Sequence, residues 1–333
     1  MLTSQLQHLK NHINGYNKPH LTFKEQIDKL KNNGLTISND SFAIKKLSHT
    51  NYYRLSAYFL PFQYPKNSSH TNKFFDNVEF RHIVSLYDFD VKLRRLIFGA
   101  LGVIEVYVRT QIAYHHSLKY GAFGYLEHKN FQCDAVTFEE FMEDIKKESK
   151  RSDEIFVKHF RERYNATDLP LWSVVEVLSF GTISKLFYAM HNDDKKSVCT
   201  QIPVSTTAFG KWLHAFTIVR NICAHHSRIW NKELRVAFAI PSKNSLFDPL
   251  RKITKSKYKE EIAGELIYET REFDNNSSVF FTLSVIKYFF DSIGEEVDFT
   301  NELKVLIKEH PSVDLKAMGF VDGWESLDIW SDV

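Results

Sequence analysis

The sequence predicts an all-α protein, and three observations carry that prediction. Turn formers are scarce, with 12 Gly and 8 Pro in 333 residues. Large packing side chains are plentiful, with 28 Phe, 15 Tyr and 5 Trp. Apolar residues also recur at three- and four-residue steps over long stretches, which is the spacing of a helix face. Together these favour helices joined by short loops over a strand-and-turn fold. The length suffices for a full core, as one large domain or two smaller ones.

The elements follow in order. Pro19 precedes Thr22 and Glu25, which have capping-box spacing, and a first helix follows with Ile27 and Leu30 on its apolar face. Asn33-Gly34 ends it. "SNDSFAIKKLSHTNYYRLSAYFLPF" reads as a second helix and a third, aromatic one stopping near Pro61. Residues 63–73, "QYPKNSSHTNK", are the clearest linker. From Asn77 to about Tyr120 the residues Leu86, Phe89, Leu93, Leu96, Ile97, Ala100, Leu101, Ile104 and Val108 mark a long core helix, closed by Gly121. "VTFEEFMEDIKKESKRSDEIFVKHFRERYN" is a charged amphipathic helical segment. "LPLWSVVEVLSFGTISKLFYAM" starts a helix at Pro170 with a break near Gly181, and "STTAFGKWLHAFTIVRNICAHHSRIWN" is the last core helix. After Pro241 the tail is mixed, with helices in "SVFFTLSVIKYFFDSI" and "FTNELKVLIKEH". The expected division is an amino-terminal helical unit at 1–75, a core at 76–240 and a carboxy-terminal helical extension at 241–333.

Composition narrows the function classes. Hydrophobic residues at 43% and charged residues at 25% argue against disorder. Net charge is only +2, so any nucleic-acid partner must be held by local basic clusters rather than a bulk field. Cys133, Cys199 and Cys223 are scattered and odd in number, and "MLTSQLQHLKNHING" does not read as a signal peptide. A reduced, cytoplasmic setting is expected. The most apolar run, "LIFGALGVIEVYV", is interrupted by Glu105 and too short to span a bilayer, so no membrane association is expected.

Chemistry concentrates in "TIVRNICAHHSRIWN", residues 217–231. On a helix, Asn221 and His225 are one turn apart, with Ala224 and Arg228 on the same stripe, while Leu213, Phe216, Val219 and Cys223 suit the core. Arg220 falls roughly 140° round from His225 on a straight helix. One copy cannot easily aim both side chains at one atom, whereas two copies across a two-fold axis can. A histidine supplies general acid–base catalysis near neutral pH, and an arginine clamps phosphate and stabilises added charge in the transition state. Asn221 could fix the imidazole or bond a phosphate oxygen. RNA carries its own nucleophile in the 2′-hydroxyl, so the reading is RNA cleavage without a metal or cofactor. Taken from local pattern alone, a helix bearing Arg, Asn and His is more often a solvated or salt-bridged face.

Wider sequence shifts that balance. "NYYRLSAYFLPF" (51–62), "LYDFDVKLRRLIFGALGVIEVYVRTQIAYHH" (86–116), "LWSVVEVLSFGTISKLF" (171–187), "WLHAFTIVRNICAHHSRIWN" (212–231) and "MGFVDGWESLDIW" (318–330) together resemble the Abi-like (AbiD/AbiF) abortive-infection family of the HEPN superfamily. The "RNICAHHSRIWN" block is the most specific part. What the resemblance implies is a HEPN helical core and a metal-independent ribonuclease toxin of phage defence, acting from a homodimer through an Arg-x4–6-His motif. Arg220, Asn221 and His225 fit that motif as catalytic residues. It also implies a possible neighbouring structured non-coding RNA, as in toxin–antitoxin pairs. The alternative is a non-catalytic HEPN module that binds such an RNA as scaffold or sensor.

Other clusters weigh less. Glu105 and Arg109 at i, i+4 read as an ion pair in the wall of the site, alongside His226 and Arg228 as supporting residues. Arg109-x5-His115 also fits the loose nuclease spacing, but Thr110 follows the arginine and His115 reads as structural. Cys223, His225 and His226 point to different faces of a helix, so no metal site is expected. Lys92, Arg94 and Arg95, then Lys146, Lys147, Lys150 and Arg151, then Tyr52, Tyr53 and Arg54 could each touch RNA, though each reads first as ordinary surface or core. No Walker loop, nucleophile elbow or Rossmann glycine pattern occurs.

Overall fold

The computed structural model describes residues 19–242 and 244–331, and the amino-terminal stretch read above for a leader lies outside them. The fold is mainly helical, with one β-hairpin. The chain forms two compact units, one running to Tyr87 with Glu260–Leu266 added, the other comprising Asp88–Lys259 and the chain from Ile267 onward.

In the first unit, α1 (Phe23–Asn32) opens on the expected capping box, with Thr22 and Glu25 exchanging backbone and side-chain bonds. Ile27 and Leu30 are buried, and Gly34 at φ +93° turns the chain out of the helix. Helix α2 (Asp40–His49) is capped by Asn39, and the short α3 (Tyr52–Ser56) by Asn51. Residues 63–73, expected as a linker, close on themselves through an antiparallel bridge between Gln63 and Phe74. Ser69 donates to Glu261 through both its amide (2.7 Å) and its hydroxyl (2.8 Å).

The second unit is organised around the greater part of α4 (Phe80–Tyr120), from Asp88 onward. Its residues Phe89, Leu93, Ile97, Leu101, Ile104 and Val108 are wholly buried. Gly121 at φ +78° ends it, as expected. The charged segment is two helices, α5 (Ala135–Arg151) and α6 (Ile155–Tyr164), separated at Ser152. The break expected near Gly181 falls earlier. A short α7 (Leu171–Val174) runs into a 3₁₀ turn, and α8 (Phe180–Ala189) restarts behind the N-cap Ser179, with Gly181 inside the helix. Helix α9 (Asn192–Val198) precedes α10 (Thr206–Ala224), which packs against α8. In the tail, α11 (Val279–Ile293) and α12 (Phe299–Glu309) form as predicted. Aromatic rings weld these elements together: Phe216 and Phe209 of α10 meet Phe289 of α11, and Tyr107 of α4 meets the same ring.

The terminal block folds over Phe280, whose ring contacts Phe320, Trp324 and Trp330. Gly319 is obligatory there. Its φ is +96°, and a side chain would collide with Ser278 and Asn275. The hairpin, β1 (Lys252–Ile262) and β2 (Glu265–Asp274), departs from the all-α expectation. Ala263 and Gly264 both take positive φ, as a two-residue hairpin turn needs.

The apolar run judged too short for a bilayer belongs to a 41-residue helix that is long and apolar enough to cross one by length and composition. Of its most apolar window, 44% is buried inside the fold.

Candidate active site

Helix α10 ends sooner than its pattern predicts. Ala224 is its last residue, His225 is the C-cap, and His226 takes the left-handed conformation at φ +55°. The amide of His226 donates to Cys223 O (3.0 Å) and that of Ser227 to Ile222 O (3.0 Å). These two bonds make a Schellman closure, in which the left-handed position is usually glycine. The expected helical stripe therefore stops at His225, and Arg228 lies beyond the helix, half-buried, rather than on the same face as Asn221.

What stops the helix comes from α4. Asp90 is completely buried, and its Oδ1 accepts from the amides of Ile229 (3.0 Å) and Trp230 (2.7 Å). Its Oδ2 is paired with Arg94, whose guanidinium also donates to Ser227 O (3.3 Å). Asp90 and Arg94 thus pin residues 227–230 and set the direction in which the chain leaves His225 and His226. Sequence reading missed this anchor and grouped Arg94 with Lys92 and Arg95 as a basic cluster of ordinary surface or core that could touch RNA. Arg94 is buried. The missed signal was an Asp-x3-Arg pair on an apolar helix, the same spacing that exposed Glu105 and Arg109.

Glu105 and Arg109 do pair, and the structure joins them to α10. Glu105 Oε1 holds Arg109, while Oε2 lies 3.8 Å from Arg220 Nε. Arg109 reaches the α7–α8 junction, donating to Leu178 O (2.6 Å) and Glu176 O (3.3 Å). Those carbonyls are available because the helix breaks there and leaves them without intrahelical partners. Arg220 further lies over the Phe98 ring at 5.6 Å and approaches Asn221 Oδ1 at 3.5 Å. Four of the sequence-derived residues, Glu105, Arg109, Arg220 and Asn221, therefore form one linked cluster.

Asn221, His225 and His226 are exposed, so solvent or a ligand reaches them. The amide of His225 donates to Asn221 O (2.9 Å), which fixes its backbone one turn beyond Asn221. Cys223 faces the opposite way. It is buried, and desolvation pushes its thiol up to about 12, so it stays a thiol. Among the described residues no three His, Cys, Asp or Glu side chains converge as a metal would require. His115 sits on α4 against Tyr114, and its neighbour His116 is buried, stacked on Phe131 at 5.2 Å.

Chemically the cluster offers a cation backed by a carboxylate, an amide side chain and two accessible imidazoles at the open end of one helix. That set can bind an anionic group and move protons beside it. A family model described as Abi-like protein matches residues 45–231, more than half of the chain and all of the cluster. Comparisons with curated proteins and with solved structures return no match.

Proposed function

The chain belongs to the Abi-like protein family, and from that premise we propose that it is a HEPN-type, metal-independent endoribonuclease whose cutting arrests phage-infected cells. Family membership points to abortive infection, and the nuclease reading rests on one observation. Arg220, Asn221 and His225 gather at the solvent-open end of α10, with Arg220 held beside Glu105.

In this mechanism Arg220 binds the scissile phosphate and stabilises the charge that builds on its oxygens. A base removes the proton of the RNA 2′-hydroxyl, the 2′-oxygen attacks phosphorus, and the bond to the 5′-oxygen breaks as that oxygen takes a proton. His225 serves as general acid–base in these transfers, worth about 10²- to 10⁴-fold in rate. Asn221 orients the phosphate or the imidazole. The products carry a 2′,3′-cyclic phosphate and a 5′-hydroxyl. Glu105 holds Arg220 in place and Arg109 holds Glu105, while His226 and Arg228 border the site.

A second copy completes the site in this proposal. The outward face of α4 beside Arg220 carries exposed Phe98 and Val106, 42% and 56% accessible, with Gly99 and Gly102 between them. Nothing lies within 4 Å of where a side chain on either glycine would begin. An apolar face with small residues lets another helix approach closely, and a two-fold pairing there would bring the clusters of two copies together.

The test compares wild type with His225→Ala in cells, sequencing RNA by capture of 2′,3′-cyclic phosphate ends. New ends that vanish in the variant support the nuclease and identify its substrate. Unchanged toxicity in Arg220→Ala with RNA still bound supports the rival reading, a non-catalytic module holding a structured RNA.

A further inference from the structure

Helix α10 carries a second feature that the cleavage chemistry does not use. Along its exposed face Thr207, Lys211, His214, Asn221 and His225 follow one another at helical spacing. The amino-terminal part of this face, as far as Thr217, forms one wall of a groove of about 1070 Å³. Helix α8 supplies another wall through Gly181, Lys185 and Tyr188. Gly181 and Gly210 keep the floor low, because neither bears a side chain that would fill it.

The charged side chains of the lining are mostly basic. Lys185, Lys195, Lys211 and His214 face the groove against Glu140, the one carboxylate among its described lining residues. Lys185 is engaged by Asp144 at 2.6 Å. Lys195 and Lys211 have no ion pair among the described residues. Lys195 is half-buried, with its ammonium 5.3 Å from the Tyr188 ring centre, and burial pulls its pKa below the usual lysine value. A half-buried cation without a counter-charge is one that an anion would stabilise. Tyr188 itself is 73% exposed, an aromatic face open to a flat partner.

Resting on the nuclease reading above, we propose that this groove holds single-stranded RNA on one side of the cleaved bond, with Lys195 and Lys211 on backbone phosphates and Tyr188 stacked on an unpaired base. Three observations favour this occupant over a protein. The charge is complementary to phosphate. The exposed ring suits a base freed from pairing. Lys211 also stands about 15 Å from Asn221 along one helix, so a few nucleotides carry the strand from the groove to the cleavage residues. The groove is therefore a positioning site, and it would set which part of an RNA is cut.

The experiment uses the full chain carrying His225→Ala, so that bound RNA is not consumed. Fluorescence anisotropy follows a labelled single-stranded RNA of mixed sequence, over a range of salt concentrations. Adding Lys195→Ala with Lys211→Ala should weaken binding at least tenfold and lower the salt slope by about 1.4. Tyr188→Ala should weaken it roughly tenfold without changing that slope. Lys195→Arg with Lys211→Arg should restore binding, which guards against loss of fold. As a comparison, Lys304→Ala with Lys308→Ala on α12 should leave binding within twofold of the parent. If the groove substitutions bind like that comparison pair, the proposal is wrong, whatever the cleavage result. Equally fatal would be loss of self-association by light scattering with RNA binding intact, because the groove would then join two copies of the chain. If RNA binding depends on the groove but wild type makes no cyclic-phosphate ends, the groove stands and the nuclease reading falls.

Discussion

Replacing Asp90 by asparagine tests the claim that α4 holds the end of α10 in place. Asparagine has nearly the same shape, and its carbonyl oxygen can still accept from the amides of Ile229 and Trp230. Its amino group, however, would face Arg94, a buried cation losing its carboxylate. Stranding one member of a buried pair costs about 3 kcal/mol or more. Asp90→Ala removes the two amide acceptors as well, each worth about 1 kcal/mol, for a loss of about 5 kcal/mol. Urea unfolding followed by tryptophan fluorescence measures both, with Trp230 placed to report on this segment. Asp90→Asn combined with Arg94→Leu should recover part of the loss, because no buried charge is then left alone. On the nuclease reading proposed above, RNA cleavage should fall in the single variants at temperatures where they remain folded, since residues 227–230 set the exit of the chain from His225. An Asp90→Asn protein within about 1 kcal/mol of wild type would refute the reasoning. So would a double variant no more stable than Asp90→Asn.

Three further expectations follow from the same geometry. Arg220→Ala and His225→Ala should each lower cleavage by about 10²-fold or more while shifting stability by less than about 0.5 kcal/mol, because both side chains are solvent-accessible; a drop in stability that matches the loss of activity would reassign them to structure. His226→Gly should raise stability by about 1 kcal/mol in thermal unfolding, since glycine adopts positive φ without the steric cost; an unchanged or lower Tm would show that the imidazole contributes more than the backbone loses. His116 is buried, and desolvation lowers its pKa from 6.5 to about 4. The unfolded chain therefore binds the proton first on acidification, so stability is full above pH 6.5 and falls by about 3 kcal/mol in total as pH drops to about 4. His116→Phe keeps the stack on Phe131 and should flatten that decline in urea midpoints taken across the window; an equally steep decline would clear His116 of the effect.

Local signals in the sequence were sufficient where the cause of structure is itself local. The Thr22–Glu25 box opens a helix because both partners lie within one turn. The spacing of Leu93, Ile97, Leu101, Ile104 and Val108 fixes the buried face of α4 for the same reason. The clustering of Glu105 with Arg109 was legible from their four-residue separation. The end of α10 was not, because histidine rather than glycine occupies the left-handed position and the force that turns the chain comes from Asp90, 139 residues before Ile229. The charge contact between Glu105 and Arg220 was hidden in the same way, by distance along the chain. The hairpin was readable in principle from the Ala263-Gly264 turn, but its largely exposed, polar strands made it resemble loop.

Both ties to the end of α10 leave from a single continuous helix, with Asp90 and Arg94 on one stretch of α4 and Glu105 on another. The spacing between them acts as a phase as well as a length. Inserting one residue between Arg94 and Glu105 would rotate everything beyond it by about 100° and advance it by about 1.5 Å. Such a chain could satisfy the buried anchor or the contact with Arg220, but not both. The loops of this protein can absorb added or lost residues by changing course, whereas the twelve positions of α4 from Arg94 to Glu105 have to be kept in step.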